Sequence, residues 1–249
     1  MKVIDLCCGA GGFSEGFKQA GFEIILGVDN NPEALYTHYL NHPDTLHWLI
    51  DVQQITQIPK CDVLIGSPPC QSFSAGSILQ GKRDFRDENL IDEFFRILQL
   101  SRAKYFCMEN VRGARGHSLY LYEPKVLNAC DFGVMQWRKR IFVANFPLPH
   151  SPSAKLSKRP DNTISPCILA SEFKGTSSDC KRRFTSWFVE KNGRKPEVED
   201  LKEYMGFPRN YQFYGTKTEQ GTQIGNAVCP PVAKAIAEAL LSHIDNGGR

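Results

Sequence analysis

Across the first 110 residues, short apolar runs alternate with amphipathic stretches, and the runs close on polar or charged residues. Lys2–Leu6 predicts a strand, residues 7–12 a glycine-rich turn, and residues 13–20 a helix. A second strand over 23–28 closes on Asp29. Asn31-Pro32 then reads as a cap with proline in the first turn, opening a helix to about Leu40. Further strands are predicted over 47–50 (ending at Asp51), 62–65 and 104–108. Between the last two, Leu90, Ile91, Phe94, Phe95, Ile97 and Leu98 recur at helical spacing over 90–100. Strands alternating with helices imply an α/β fold with a parallel, doubly wound sheet, whose ligands sit beyond the carboxyl ends of the strands. Those ends carry Asp5, Asp29, Asp51, Cys70 and Glu109. After Phe146 the pattern dissolves into Pro-, Ser- and Lys-rich sequence to about Lys195. Helical texture returns in Val198–Met205 and over 231–244, behind a Gly225-Asn226-Ala227-Val228 turn.

Charge sharpens this division. Residues 138–195 hold 13 Lys/Arg against 4 Asp/Glu, a net of +9, while the rest of the chain carries −6. A basic block on a mildly acidic body suits a polyanion, although a solvated face would show the same run. A length of 249 residues accommodates one large domain with a small annex. The nine cysteines are odd in number and form no C-x-x-C pair, which reads as free thiols in a reducing compartment, with neither zinc nor disulfides. A strand starting at Lys2, together with the lack of a long apolar run, leads us to expect a soluble cytoplasmic protein without a targeting segment.

Two segments carry candidate chemistry. The first is Asp5-Leu6-Cys7-Cys8-Gly9-Ala10-Gly11-Gly12-Phe13. Its glycines let backbone N–H groups approach a ligand at a helix N-terminus. A dinucleotide fingerprint needs G-x-G-x-x-G, but counted from Gly9 the third glycine position is Ser14. The misfit disfavours a nicotinamide oxidoreductase and favours a nucleoside ligand without a pyrophosphate. Asp29 is placed for ribose hydroxyls and Asp51-Val52 for an adenine edge, though each carboxylate could serve only as a cap. The second segment is Gly66-Ser67-Pro68-Pro69-Cys70-Gln71-Ser72-Phe73-Ser74, which holds one thiol on a stiff turn after a strand. Cys70 is a candidate nucleophile or simply a small residue in a tight turn.

Residues 5–17, Pro68-Pro69-Cys70-Gln71, Glu109-Asn110-Val111, Gln136-Trp137-Arg138-Lys139-Arg140 and Gly225-Asn226-Ala227-Val228 occur in a telling order. In these motifs the chain resembles the S-adenosylmethionine-dependent cytosine-C5 DNA methyltransferases over residues 1–111, 126–146 and about 194–244. The resemblance implies a Rossmann-like methyltransferase sheet with a small, short target-recognition lobe. Its catalytic domain would be residues 1–146 plus 212–249, and its recognition region 147–211. It also implies S-adenosylmethionine as cofactor, S-adenosylhomocysteine as product, no metal, and double-stranded DNA as partner of a monomeric enzyme.

The resemblance assigns roles as well. Cytosine C5 becomes nucleophilic only when a thiolate adds to C6, a role that falls to Cys70. Glu109 would donate to N3 and contact the 4-amino group, Arg140 would hold O2, and Arg138 would brace the catalytic loop. Water is left to take the C5 proton. Asp5, Cys7, Gly9, Gly11, Gly12 and Phe13 would cradle the cofactor. Asp29, Asn30, Asp51, Val52 and Pro68 would line its adenosine half, and Asn226 would close over it. Residues 72–87, with Gly76, Gly81, Lys82, Arg83 and Arg86, resemble the mobile loop that closes on a flipped base. Lys155, Lys158, Arg159, Lys174, Lys181, Arg182 and Arg183 suit phosphates, while Trp187 and Phe188 suit the core of the small lobe.

Departures are visible too. Cys7 stands where the family usually has Phe, Met135 where it has Pro, and Asp200 where it has Glu. Only 15 residues separate Val111 from Leu127, which predicts a sheet abbreviated beyond its fifth strand. The recognition stretch over 147–193 has only 47 residues, which invites an accessory partner for target recognition. A tRNA-methylating branch of the family carries a Cys-Phe-Thr tripeptide that is absent here. A degenerate nucleic-acid-binding relative is the other alternative.

Overall fold

The computed structural model describes residues 1–69, 86–111, 122–173 and 183–248; of residues 86–89 and 183 only the backbone is described. Strands β1 (Lys2–Leu6), β2 (Glu23–Asp29) and β3 (Leu46–Leu49) alternate with helices α1 (Gly12–Gln19) and α2 (Pro32–Asn41). There follow β4 (Val63–Gly66), α3 (Arg86–Ser101), β5 (Tyr105–Asn110), β6 (Lys125–Asn128) and β7 (Lys139–Ala144). Helices α4 (Arg183–Asn192), α5 (Val198–Met205), α6 (Lys217–Asn226) and α7 (Pro230–Asp245) complete the chain. The sheet has seven strands in the order β3-β2-β1-β4-β5-β7-β6.

Five strands, β3 to β5 across the sheet, are parallel, whereas β7 runs antiparallel to both β5 and β6. The sheet is therefore mixed, and it is not abbreviated beyond β5. β6 and β7 are antiparallel neighbours and need only a short connection, while β5 and β6 run parallel to each other, and the 14 residues between Asn110 and Lys125 just meet the dozen or so that such a crossover needs.

The central strands are apolar throughout because both of their faces are covered. Alternate residues feed two cores: Val3, Val63, Ile65 and Cys107 face one, and Ile4, Leu64 and Phe106 the other. Helix α3 closes the second core with Ile91, Phe94 and Ile97, three residues apart on one face. The first core is closed by α1 and α7, which pack backbone to backbone. A Cβ on Gly16 would stand 2.3 Å from the Ala233 Cβ and 2.5 Å from the Pro230 carbonyl oxygen. Phe184, Trp187 and Phe188 of α4 and Leu201 and Met205 of α5 join this same core. The small lobe is thus continuous with the face of the sheet that carries α1.

A window within Lys217–Asp245 reaches a mean hydropathy of 1.2, so by composition the chain does contain one span-like segment. It consists of two helices, broken where Ala227 leaves helical geometry. Val232, Ala233, Ile236, Ala237 and Leu240 of the second helix are buried in the core.

Candidate active site

The carboxyl ends of β1 and β2 hold the glycine loop. Gly9 adopts φ +52°, and among the described residues nothing lies within 4 Å of where its Cβ would be. Its amide donates to Asp29 Oδ2 at 2.8 Å, and the Asn31 amide donates to Asp29 Oδ1 at 2.8 Å. This leaves an open cradle above the loop with a half-buried carboxylate beside it, as a nucleoside would require. Cys7, also at positive φ, sits among Asp29, Asp5 and Asp51. Burial, then the charges of these carboxylates, push its thiol well up. Asn30 is exposed. Asp51 caps the turn after β3 by accepting from the Gln53 amide at 2.9 Å, and Val52 is buried behind it.

The other loop glycines answer to packing. A Cβ on Gly11 would meet the Tyr211 hydroxyl at 2.7 Å, and one on Gly12 would meet the Val228 carbonyl oxygen at 2.2 Å. Phe13 packs its ring edge-to-face on Phe17 and Phe142 in the core, so what it offers a ligand is its backbone amide. The Asp5 side chain is likewise wholly buried, beneath the loop. Its Oδ2 accepts from the Ser14 hydroxyl at 2.7 Å. Ser14 Oγ lies 3.0 Å from His38 Nε2, and His38 Nδ1 lies 2.8 Å from His47 Nε2. This relay closes with both imidazoles neutral, and burial lowers the pKa of each. Burial, opposed by the Ser14 bond, raises Asp5 to about 7. Asp5 Oδ1 has no hydrogen-bond partner among the described residues.

The second site lies at the ends of β4, β5 and β7. Glu109 is 7% exposed at the end of β5, opposite Phe142 of the antiparallel β7. Arg140, two residues before Phe142, points to the same face, and its Nε stands 3.2 Å from Glu109 Oε1. Burial raises the Glu109 carboxyl, while Arg140, Arg138 and a hydrogen bond with Ser67 pull it partly back. Pro68 is buried beside it, its carbonyl oxygen 3.4 Å from Asn110 Nδ2. Cys70 lies outside the described residues, as do 72–85 with Gly76, Gly81, Lys82 and Arg83. The Arg86 side chain is not described.

Arg138 is 3% exposed and acts as a hub. Its Nη1 donates to the Ile168 carbonyl at 2.9 Å and to Cys167 Sγ at 3.3 Å. Its Nη2 donates to the Gly225 and Ala227 carbonyls at 2.8 and 2.9 Å. Among the described residues, these bonds tie the motif to the small lobe and to the turn around Asn226; residues 70–85 of the expected catalytic loop lie outside the described residues. Asn226 itself is exposed at the end of α6. A small cavity beside this turn is lined by Leu127, Arg138, Arg140, Phe142, Val228 and Cys229.

In the basic block, Lys155 and Lys158 are exposed, and Arg159 is bound to the Ile164 carbonyl and Asn162 Oδ1. Lys174, Lys181 and Arg182 lie outside the described residues, and the Arg183 side chain is not described. Among the described residues no cluster of three or more metal-ligating side chains occurs. Sequence reasoning missed Ser67 and Cys167. Ser67 was within reach, since it follows β4 beside Pro68. Cys167 is brought in only by tertiary packing.

Comparison with known proteins agrees with this geometry. The chain is 32% identical to the Type II methyltransferase M1.HphI of Haemophilus parahaemolyticus, covering 97% of this chain and 87% of that one. It is 30% identical to the Type II methyltransferase M.AplI of Arthrospira platensis, over 99% and 87% of the two chains. In fold it resembles a DNA modification methyltransferase encoded within an E. coli prophage, with a TM-score of 0.71, 21% identity and coverage of 98% and 99%. It also resembles Spodoptera frugiperda DNMT2, with a TM-score of 0.69, 19% identity and coverage of 96% and 99%. A family model matches residues 1–164 and 150–242, and the chain belongs to the C-5 cytosine-specific DNA methylase family.

Proposed function

We propose that this protein transfers a methyl group from S-adenosylmethionine to C5 of a flipped-out cytosine in double-stranded DNA. The observation that carries the reading is Glu109, a buried carboxyl with a raised pKa held 3.2 Å from Arg140 at the carboxyl end of the sheet. Burial favours the protonated form of this carboxyl, and a protonated carboxyl can donate to N3 as negative charge builds there.

The cofactor supplies an electrophilic methyl group. Gly9 leaves room for it, Asp29 takes the ribose hydroxyls, Asp51 and Val52 meet the adenine edge, and Asn226 closes the site. The Cys70 thiolate adds to C6, and the ring electrons shift toward N3, where Glu109 provides a proton. C5 then takes the methyl group as its bond to the sulfonium breaks, and loses its proton to water; the C5–C6 double bond re-forms as the thiolate leaves and the N3 proton returns to Glu109. Arg140 holds O2, and Arg138 fixes the relation between the small lobe and the Asn226 turn.

Residues 1–146 with 212–249 act as the catalytic domain and 147–211 as the recognition region, working as a soluble, cytoplasmic monomer on DNA. Relatives that are Type II methyltransferases favour a role in restriction–modification. Incubation with tritiated S-adenosylmethionine and either DNA or tRNA tests the reading. Label in DNA is expected, label in tRNA alone transfers the substrate to RNA, and cofactor binding without label in either overturns catalysis. Cys70→Ala is expected to abolish transfer while retaining DNA binding, and residual turnover would exclude the covalent route.

A further inference from the structure

Beneath the glycine loop lies a polar system that methyl transfer leaves unused. Asp5 is wholly buried at the end of β1, and its Oδ1 has no hydrogen-bond partner among the described residues. From Oδ2 a chain leads outward: 2.7 Å to Ser14 Oγ, 3.0 Å from there to His38 Nε2, and 2.8 Å from His38 Nδ1 to His47 Nε2. Ser14 and His38 are also wholly buried. His47 is half-buried on β3, at the edge of the sheet, so the chain starts under the cradle and ends near solvent.

Each link can face either way. With Asp5 ionised, Ser14 donates to Oδ2, His38 Nε2–H donates to Ser14, and His47 Nε2–H donates to His38 Nδ1. With Asp5 protonated on Oδ2, the carboxyl donates to Ser14, Ser14 donates to His38 Nε2, and His38 Nδ1–H donates to His47 Nε2. A proton on Oδ1 would instead be a buried donor without an acceptor. Passing from the second form to the first shifts every hydrogen one place outward and frees the proton on His47 Nδ1. Both imidazoles are neutral at either end of the passage.

Among the described residues no cation pairs with Asp5. Asp29 faces it from β2, Cys7 and Cys8 from the loop, and Tyr211 from the chain after α5. His42 and Lys18 face His38, and Glu15 Oε2 lies 3.9 Å from His42 Nε2. Burial, opposed by Ser14 and reinforced by Asp29, poises Asp5 at about 7. A cation in the cradle therefore favours its ionised form. S-adenosylmethionine brings one on its sulfonium, and its demethylated product, a thioether, does not.

We propose that Asp5, Ser14, His38 and His47 form a proton relay through which the cradle distinguishes the cationic cofactor from its uncharged-sulfur product. Asp5 gives up a proton as cofactor binds and recovers it once the methyl group has gone, so cofactor is held in preference to product. The inference rests on the cradle reading given above.

The test is titration calorimetry of each ligand at about pH 6.5, repeated in two buffers of different ionisation heat, which counts the protons released. The amino-acid end is common to both ligands and cancels in the difference. A tenfold coupling equals one pKa unit, so cofactor should release about half a proton more than product. Asp5→Asn should erase this excess and lower the cofactor-to-product affinity ratio roughly tenfold at mildly alkaline pH. The parent's ratio should fall toward that of Asp5→Asn in acid. A merely structural role would lower both affinities together.

His38→Gln keeps two hydrogen-bonding ends but does not pass a proton. Stopped-flow mixing with a pH-indicator dye should show its proton release lagging behind cofactor binding, whereas in the parent the two coincide. If the excess is absent from the parent or survives in Asp5→Asn, or if release keeps pace in His38→Gln, the proposal is wrong. Should a variant fail to fold, the parent's two proton counts still decide. If neither ligand binds the parent, the cradle reading itself fails; if both bind with equal proton counts, only the relay does.

Discussion

At β1 and β2 the carboxylates of Asp5 and Asp29 are buried or half-buried, and among the described residues neither forms an ion pair; Ser14 holds one and two backbone amides the other. At β5 the carboxylate of Glu109 is buried against two guanidinium groups. The first arrangement uses fixed dipoles and a neutral imidazole relay, and it leaves net negative character at the cradle. That suits a ligand bringing its own positive charge. The second balances opposed effects, with burial raising the carboxyl and arginines lowering it. On the proposed reading, buried carboxylates would serve binding in the first place and proton transfer in the second, and the partner groups would decide which.

The widest separation between the two ends should come from Glu109→Gln. Transfer is expected to fall by on the order of 10²–10⁴-fold with cofactor affinity intact. A variant that loses cofactor binding as well would merge the two sites into one.

Asp5 offers the next largest effect, this time in stability. Its folded pKa of about 7 lies above its unfolded value, so the native state binds the extra proton between them. Its contribution is therefore fully present below about pH 4 and is lost as pH rises toward 7. Asp5→Asn should gain on the parent protein across that window by on the order of 4 kcal/mol in denaturant melts. A difference independent of pH would show that Asp5 is not buried as a neutral acid.

The loop glycines sharpen the contrast further. Gly12→Ala drives a Cβ into the Val228 carbonyl and should cost about 1–3 kcal/mol of stability. Gly9→Ala points into open space, so beyond the left-handed strain of about 1–2 kcal/mol its main effect should be weaker cofactor binding. Calorimetry and melting on the pair would reverse these roles if the cradle were misplaced. The smallest effect is expected from Asp29→Asn, roughly a tenfold loss in cofactor affinity with transfer at saturation little changed.

Strands β1, β2, β4 and β5 were readable because their central residues are covered on both faces and form apolar runs, whereas β3 lies at the sheet edge with Leu46 and Leu49 exposed. β7 was not readable, since it opens with Lys139 and Arg140, whose charges belong to the site and break the pattern. Helix α6 hid behind Gln220, Gly221, Gln223 and Gly225, although its Thr216/Glu219 capping box was in plain view. Of the site, motif spacing marked Glu109, Arg138 and Arg140. It could not show that Asp5 and Phe13 turn inward, because inward and outward positions on a loop carry no periodicity. The relay is an intermediate case. His38 is on α2, but only the pairing of β3 with β2 brings His47 to meet it.

The backbone contact between Gly16 and the start of α7 bears on how the protein is made. Helix α1 leaves the ribosome long before α7, the surface it rests on. The core that seats the glycine loop therefore cannot close until α7 has emerged. Folding from the N-terminus during synthesis, the usual order for domains, would stall here with Phe13 and Phe17 exposed. A shortened chain lacking α7 should consequently be recovered as an aggregate rather than as a weaker enzyme, so no partial product would reach DNA in active form.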